Sequence, residues 1–319
     1  MRIAMPVRSL RVALAAAVAA LAATSACSTA SGKASSAAGA TAGKTGGGVV
    51  QVVAAENFWG SIAAQLGGDH AKVASIIANP DTDPHDYEPT TGDGRTVAGA
   101  GYVITNGAGY DGWSDKLLAA NPAAGRTTLK VADLVGVKEG GNPHQWYSPD
   151  SVHKVVDRIT DDLKKLDPAD AAYFDQRKAA YLGTALAPYE KQLAAIRASY
   201  AGTPIGASES IVTPLADSLG LKLLTPATFL GAISEGTDPT AQDKATVDEQ
   251  IRTGQIKVYL YNSQNSTPDI KAQVDAAKAK GIPVATVTET LTPAGTPFQD
   301  WQTTQLQGLA DALKQATGK

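Results

Sequence analysis

Two runs of short apolar segments, each alternating with amphipathic stretches, flank one long helical stretch, and this rhythm limits the fold more than any other feature. In the first run, residues 49–55, 72–78, 102–105 and 128–131 read as strands, with helical patterns at 58–66, 91–99 and 112–120. In the second, residues 204–207, 222–224, 257–261 and 283–287 read as strands, and 211–219, 240–253, 267–280 and 299–316 as helices. Such alternation builds parallel sheets, because a parallel connection needs a crossover long enough to hold a helix. Ser148-Pro149-Asp150 marks a helix start, a capping hydroxyl followed by proline at the first helical position. Asp167-Pro168 starts another helix that can run to Tyr200, roughly 50 Å at about 1.5 Å per residue. Pro188 lies inside it and is expected to kink it. The expectation is an α/β chain of two mainly parallel-sheet lobes, 49–166 and 201–319, joined by one long kinked helix, 167–200.

The N-terminus carries a different signal. Arg2, Arg8 and Arg11 precede the uncharged, Ala-rich run 12–24, which is too short to span a bilayer. Thr24, Ser25 and Ala26 then lead to Cys27. Small residues ahead of a lone cysteine are the pattern of a lipoprotein signal peptide over 1–26, with Cys27 as the lipid-attachment residue; leucine is more usual where Thr24 stands. Residues 27–48, rich in Ala, Ser, Gly and Thr, cannot bury a core and read as a flexible tether. Anchor and tether together place the folded part outside the cell, held to the outer face of its membrane. Cys27 is the only cysteine, which excludes an internal disulfide and a multi-thiolate metal site. Losing the signal removes three arginines and no acid, so the formal net charge of −3 becomes more negative. No basic run marks a nucleic-acid surface.

Four histidines exist: His70, His85, His144 and His153. His85 lies in Asp83-Pro84-His85-Asp86-Tyr87-Glu88-Pro89, shortly after a strand, and His144 in Asn142-Pro143-His144-Gln145-Trp146, just before a helix. Both follow a proline, and both sit where α/β sheets bind ligands, in loops beyond the strand carboxyl ends. His70 follows Gly68-Asp69 and reads as a surface turn residue; His153 is nine residues from His144, which is not a helical metal spacing.

The stretch Asp83 to Pro89, with Asn106-Gly107-Ala108-Gly109 and Trp113 downstream, resembles the first lobe of the metal-specific substrate-binding lipoproteins, the zinc- and manganese-binding components of ABC importers. Asn142-Pro143-His144-Gln145-Trp146 with Ser148-Pro149 resembles their second histidine motif, and Ser234-Glu235-Gly236-Thr237-Asp238-Pro239 a stretch of their second lobe. The resemblance runs from Val49 to the C-terminus. It implies a ligand cleft between two α/β lobes, with one divalent transition-metal ion, Zn²⁺ or Mn²⁺, as transported ligand. The ligand set it implies is His85, His144, Glu209 in Gly206-Ala207-Ser208-Glu209-Ser210, and Glu289 in Val287-Thr288-Glu289-Thr290-Leu291. Aspartate is more usual at the fourth position, so Glu289 lengthens that arm by a methylene. Two imidazoles and two carboxylates suit zinc and, with bidentate carboxylates, manganese. Glu209 in the third position leans toward manganese. The implied partners are an ABC importer permease and, through Cys27, the membrane; the chain is expected to be a monomer. Glu56, Asn57, Asn106 and Trp146 are candidates to support the site and fix the imidazole tautomers.

Other readings differ in class. Gly107-Ala108-Gly109-Tyr110-Asp111-Gly112 matches G-x-G-x-x-G after a strand, with Asp133 downstream, the outline of a dinucleotide fingerprint that is weak when it stands alone. A surface adhesin or interaction lipoprotein is a second reading, and a secreted metallohydrolase a third. The chain has no G-x-S-x-G and no H-E-x-x-H, and four protein ligands would close the metal shell, so the expectation is a binding protein and not an enzyme.

Overall fold

The computed structural model describes residues 48–319 apart from Asp81, Asp83 and Asp86; the expected signal peptide, Cys27 and the tether up to Gly47 lie outside the described residues. Four strands, β1 (Val50–Glu56), β2 (Ala71–Ile77), β3 (Tyr102–Thr105) and β4 (Thr127–Lys130), pair in parallel in the order β2-β1-β3-β4. Four more, β5 (Pro204–Ala207), β6 (Lys222–Leu223), β7 (Val258–Asn262) and β8 (Val284–Val287), repeat the arrangement as β6-β5-β7-β8. The central strands are buried almost throughout, as expected when helices cover both faces of a parallel sheet. In each sheet the strand order reverses beside the first strand, and ligands bind α/β sheets at such switch points, beyond the strand carboxyl ends.

The first lobe carries α1 (Asn57–Gly67), α2 (Thr91–Ala98), α3 (Gly112–Ala120), the short α4 (Val131–Val135) and α5 (Pro149–Leu166). The link is α6 (Ala171–Ala180) and α7 (Ala187–Tyr200), and the second lobe carries α8 (Thr213–Leu219), α9 (Ala227–Ser234), α10 (Ala241–Thr253), α11 (Pro268–Ala279) and α12 (Phe298–Thr317). Local chemistry starts several of these. The Ser148 side chain accepts from Ser151 N with Pro149 following, and Thr90 and Asp93 form a reciprocal capping box. Helix α4 is too short for apolar periodicity to reveal it, and α9, which the sequence reading also lacks, spans only two turns.

The long link is interrupted, as Pro188 suggests, but the break lies one turn earlier. Residues Tyr181–Ala185 form a π-helical turn in which Leu186 N donates to Tyr181 O at 2.8 Å. The proline has no N–H and its ring crowds the carbonyl four residues back, that of Thr184, which lies within the wider turn; the turn absorbs that crowding without ending the helix. The link also begins with a 3₁₀ turn, Pro168–Asp170, before α6.

One continuous apolar cluster runs through both lobes, from Val52 and Phe58 through Trp146, Ile159, Tyr189 and Ile205 to Leu313. Polar ties reinforce it. Phe298 N donates to Ser61 Oγ at 3.0 Å, and the Gln65 and Gln299 side-chain amides pair reciprocally at 3.0 and 2.9 Å. Large opening of the lobes would expose part of this core to water, which limits their relative movement. Among the described residues no helix is long and apolar enough to cross a membrane.

Candidate metal centre

The loops beyond the carboxyl ends of the two sheets face each other across a cleft. From the first lobe, the segment after β2 carries His85. The Pro84 carbonyl beside it accepts from Trp113 Nε1 at 3.1 Å, and Tyr87 packs on Trp113 with ring centroids 4.9 Å apart. The segment between α4 and α5 carries His144, which is fully buried. From the second lobe, Glu209 follows β5 and Glu289 follows β8, and both are buried.

Ligand atoms of His85, His144 and Glu289 all lie within 4.8 Å of one another, His85 being the most accessible of the three. The His85 and His144 ring centroids are 6.5 Å apart. Glu209 stands outside this tight group. Its Oε1 accepts from Asn262 Nδ2 at 2.8 Å and its Oε2 from Asn265 Nδ2 at 2.7 Å. The same Asn262 Nδ2 donates to Glu289 Oε1 at 2.9 Å, so one buried amide at the end of β7 bridges the two carboxylates. Tyr110 reaches over from the first lobe and donates to Glu289 Oε2 at 3.0 Å. Gln264 Oε1 accepts from the backbone of Glu289 at 2.6 Å and of Thr290 at 3.0 Å, holding the loop that presents the acid.

The state of His144 follows from its neighbours. Its Nδ1 lies 2.9 Å from Asn142 Oδ1, an atom that can only accept, so the ring proton sits on Nδ1. Nε2 is then a bare lone pair, and it is buried with no hydrogen-bond partner. Burial, and then the neighbouring His85, push the His144 pKa well below the ordinary histidine range, which keeps the ring neutral. A buried imidazole lone pair aimed at a second imidazole and a carboxylate fits a metal ion better than it fits packing. Two buried glutamates add negative charge, which a divalent cation would offset.

Asn106 accepts from Trp59 Nε1 at 2.9 Å and donates to Pro143 O at 3.0 Å, which locates the residue before His144. The Trp146 ring lies edge-on to His144 at 5.2 Å. Asn57 Oδ1 accepts from Leu291 N at 3.2 Å, beside the Glu289 loop. None of these fixes the His144 tautomer; Asn142 does. Asn142 also donates to Ser210 O at 2.7 Å, tying the histidine loop to the residue after Glu209. Glu56 is buried with both carboxyl oxygens lacking hydrogen bonds, and burial, with Asp111 nearby, raises its pKa well above the usual carboxyl range.

Residues 107–112 are a conformational device and no nucleotide cradle. Gly107, Ala108 and Gly109 all have positive φ, 81°, 56° and 86°. A Cβ at Gly107 would lie 2.7 Å from Lys130 Cγ. Asp111 closes the loop by accepting from Asn106 N at 2.8 Å and Gly107 N at 2.7 Å, so the backbone donors that would hold a phosphate are already engaged. The turn places Tyr110 in the cleft, where its ring packs on His85 at 4.7 Å.

Asn142, Asn262, Tyr110 and Gln264 were not legible as site residues. The one available signal was the amide-rich run Asn262-Ser263-Gln264-Asn265 directly after an apolar strand.

Two parallel α/β lobes turn imidazole and carboxylate groups into one cleft. The family model for ZnuA, described as zinc-uptake complex component A, periplasmic, matches residues 52–312, and the chain belongs to this family. It is 24% identical over 278 residues to the zinc-binding lipoprotein AdcA of Streptococcus pneumoniae serotype 4, a match covering 79% of this chain and 53% of AdcA, so the chain spans about half the length of that relative. It is 28% identical over 221 residues to the iron-binding protein YfeA of Yersinia pestis, covering 66% of this chain and 68% of YfeA. Its fold matches a Mn-bound periplasmic metal binding protein of Candidatus Liberibacter asiaticus with a TM-score of 0.68 and 20% identity, over 83% of this chain and 99% of the other.

Proposed function

We propose that this protein captures a divalent transition-metal ion, Zn²⁺ or Mn²⁺, outside the cell membrane and delivers it to the permease of an ABC importer. The observation that carries this reading is the buried, unpartnered Nε2 of His144 beside His85 and Glu289, whose ligand atoms lie within 4.8 Å of one another. His85, His144 and Glu289 are the initial ligands, and Glu209 completes the set by a short movement of its carboxylate away from Asn262 and Asn265. Residues 49–166 and 201–319 act as two jaws and 167–200 as the strut between them. The relatives' names support a metal cargo and span zinc, iron and manganese. The donor set itself favours Zn²⁺ at equilibrium, because affinity for nitrogen and oxygen ligands rises from manganese toward copper and zinc.

Four side-chain ligands leave no open position for an activated water, so the site holds the ion and does not use it in catalysis. Cys27 carries the lipid that keeps the protein at the outer face of the membrane, and the protein acts as a monomer. Metal analysis and calorimetric titration of the purified protein test the cargo reading. One tightly bound equivalent, and its loss on Glu289→Ala, is expected; a tight ion held with unchanged affinity in that variant would sink the assignment. Cys27→Ser is expected to release the protein from the membrane fraction.

A further inference from the structure

A second cluster of metal-ligating side chains lies at the other end of the first sheet. His70 ends the 3₁₀ turn before β2, Asp167 caps α5, and Asp170 ends the 3₁₀ turn that opens the link. His70 Nδ1 is 3.0 Å from Asp170 Oδ2 and 3.6 Å from Asp167 Oδ2. Each of the three residues offers a ligand atom within 4.8 Å of the others. Strand β2 runs seven residues away from His70 before the chain turns toward His85. At about 3.3 Å per residue that is roughly 20 Å, so the cluster is separate from the cleft.

Two features set it apart from an ordinary surface ion pair. Asp167 is only 5% exposed, and its Oδ2 points toward His70 with no hydrogen-bond partner. The His70 ring is also held in place. It packs on Tyr173 at 4.4 Å and edge-on to Phe174 at 6.0 Å, and Tyr173 OH accepts from Asp69 N at 3.2 Å. Nearby cations are engaged elsewhere: Lys164 with Asp175, Lys165 with Asp162, and Arg177 with the Gln65 carbonyl. A protonated His70 would leave one net negative charge on the cluster, whereas a divalent ion with a neutral imidazole balances both carboxylates. With metal bonds of about 2.0–2.2 Å, ligand atoms in a tetrahedral site lie about 3.4 Å apart, so small side-chain movements suffice.

We propose that His70, Asp167 and Asp170 form an accessory divalent-metal site, zinc-preferring and weaker than the cleft, that fastens the α1–β2 corner to the start of the linking helix. Three protein ligands leave a position for water, which makes the ion exchangeable, and the imidazole and the affinity order favour Zn²⁺ over Mn²⁺. Binding to the folded state alone would stabilise the protein as zinc rises.

The test uses the full chain carrying His85→Ala and His144→Ala, which silences the cleft histidines whatever the cleft binds. Zinc titration by calorimetry and thermal unfolding with and without Zn²⁺ are the readouts. One residual Zn²⁺ and a zinc-dependent rise in Tm are expected. Adding His70→Ala, or separately the conservative Asp170→Asn at a partly exposed position, is expected to weaken that residual ion at least ~10-fold, the usual cost of disturbing a metal ligand or its support. No residual Zn²⁺, or residual binding that both substitutions leave unchanged while circular dichroism shows native fold, would overturn the proposal.

Discussion

Asn142 Oδ1 lies 2.9 Å from His144 Nδ1 and 3.0 Å from the His144 backbone nitrogen, and this one contact determines which ring nitrogen faces the cleft. Removing the acceptor frees the ring to rotate or change tautomer. Asn142→Ala is therefore expected to weaken metal binding by ~10–100-fold, with Asn142→Asp, which keeps an acceptor, recovering part of the loss. Calorimetric titration of the three proteins with Zn²⁺ checks the order.

Asn262 bridges Glu209 and Glu289 through one amide nitrogen. Asn262→Leu keeps the branched outline of the side chain but strips a donor from two buried carboxylates. A hydrogen bond to a charged group contributes ~1.5–3 kcal/mol, so the metal-free protein should lose about 3 kcal/mol or more. Bound metal supplies the missing positive charge, and the loss should shrink when urea unfolding is repeated with saturating Zn²⁺. An equal loss in both conditions would show that Asn262 does not offset the charge of the acids.

What was legible in the sequence follows from what each residue needs of its neighbours. The parallel α/β rhythm was visible because strand and helix periods are local, and Pro188 marked the interruption of the link. The π-turn at Tyr181–Ala185 was not visible, since it adapts to that proline without a signature of its own. His85 and His144 stood out through their Pro-His contexts. Glu209 and Glu289 emerged only by resemblance, because a glutamate at a strand end is ordinary. Asn262 was hidden because its importance rests on two acids 53 and 27 residues away, which only the fold brings to it. His70 read as a turn residue for the same reason: its carboxylate neighbours come from the far end of α5.

Glu56 sits unpaired in the core with its pKa raised by burial and by Asp111. A raised carboxyl pKa contributes stability that is fully present below the unfolded value, near 4.5, and is lost as pH rises toward the folded value. Glu56→Gln removes that loss. The variant should be more stable than the parent at pH 7, and the advantage should disappear below the unfolded value near 4.5, where the unfolded carboxyl is also protonated. Denaturant unfolding at the two pH values reads this directly; a less stable variant at pH 7 would mean that Glu56 is ionised and compensated.

Metal affinity should fall as pH drops through the imidazole range, because protons compete for the ligating nitrogens. His144 is held neutral well into acid by burial and by His85, so it does not join the competition in the mildly acidic range. The loss should therefore not exceed about tenfold per pH unit between pH 7 and 6, the slope for one proton. A steeper fall would show that more than one proton competes and that burial does not hold His144 neutral.

The most direct test of the account is titration of the wild-type protein and of a His85→Ala, His144→Ala double variant with Zn²⁺ and Mn²⁺, alongside elemental analysis. One tightly bound ion in the cleft of the wild type, with Zn²⁺ ahead of Mn²⁺, and its loss in the variant are expected. Tight binding that survives both substitutions, or no binding of either ion by the wild type, would contradict it.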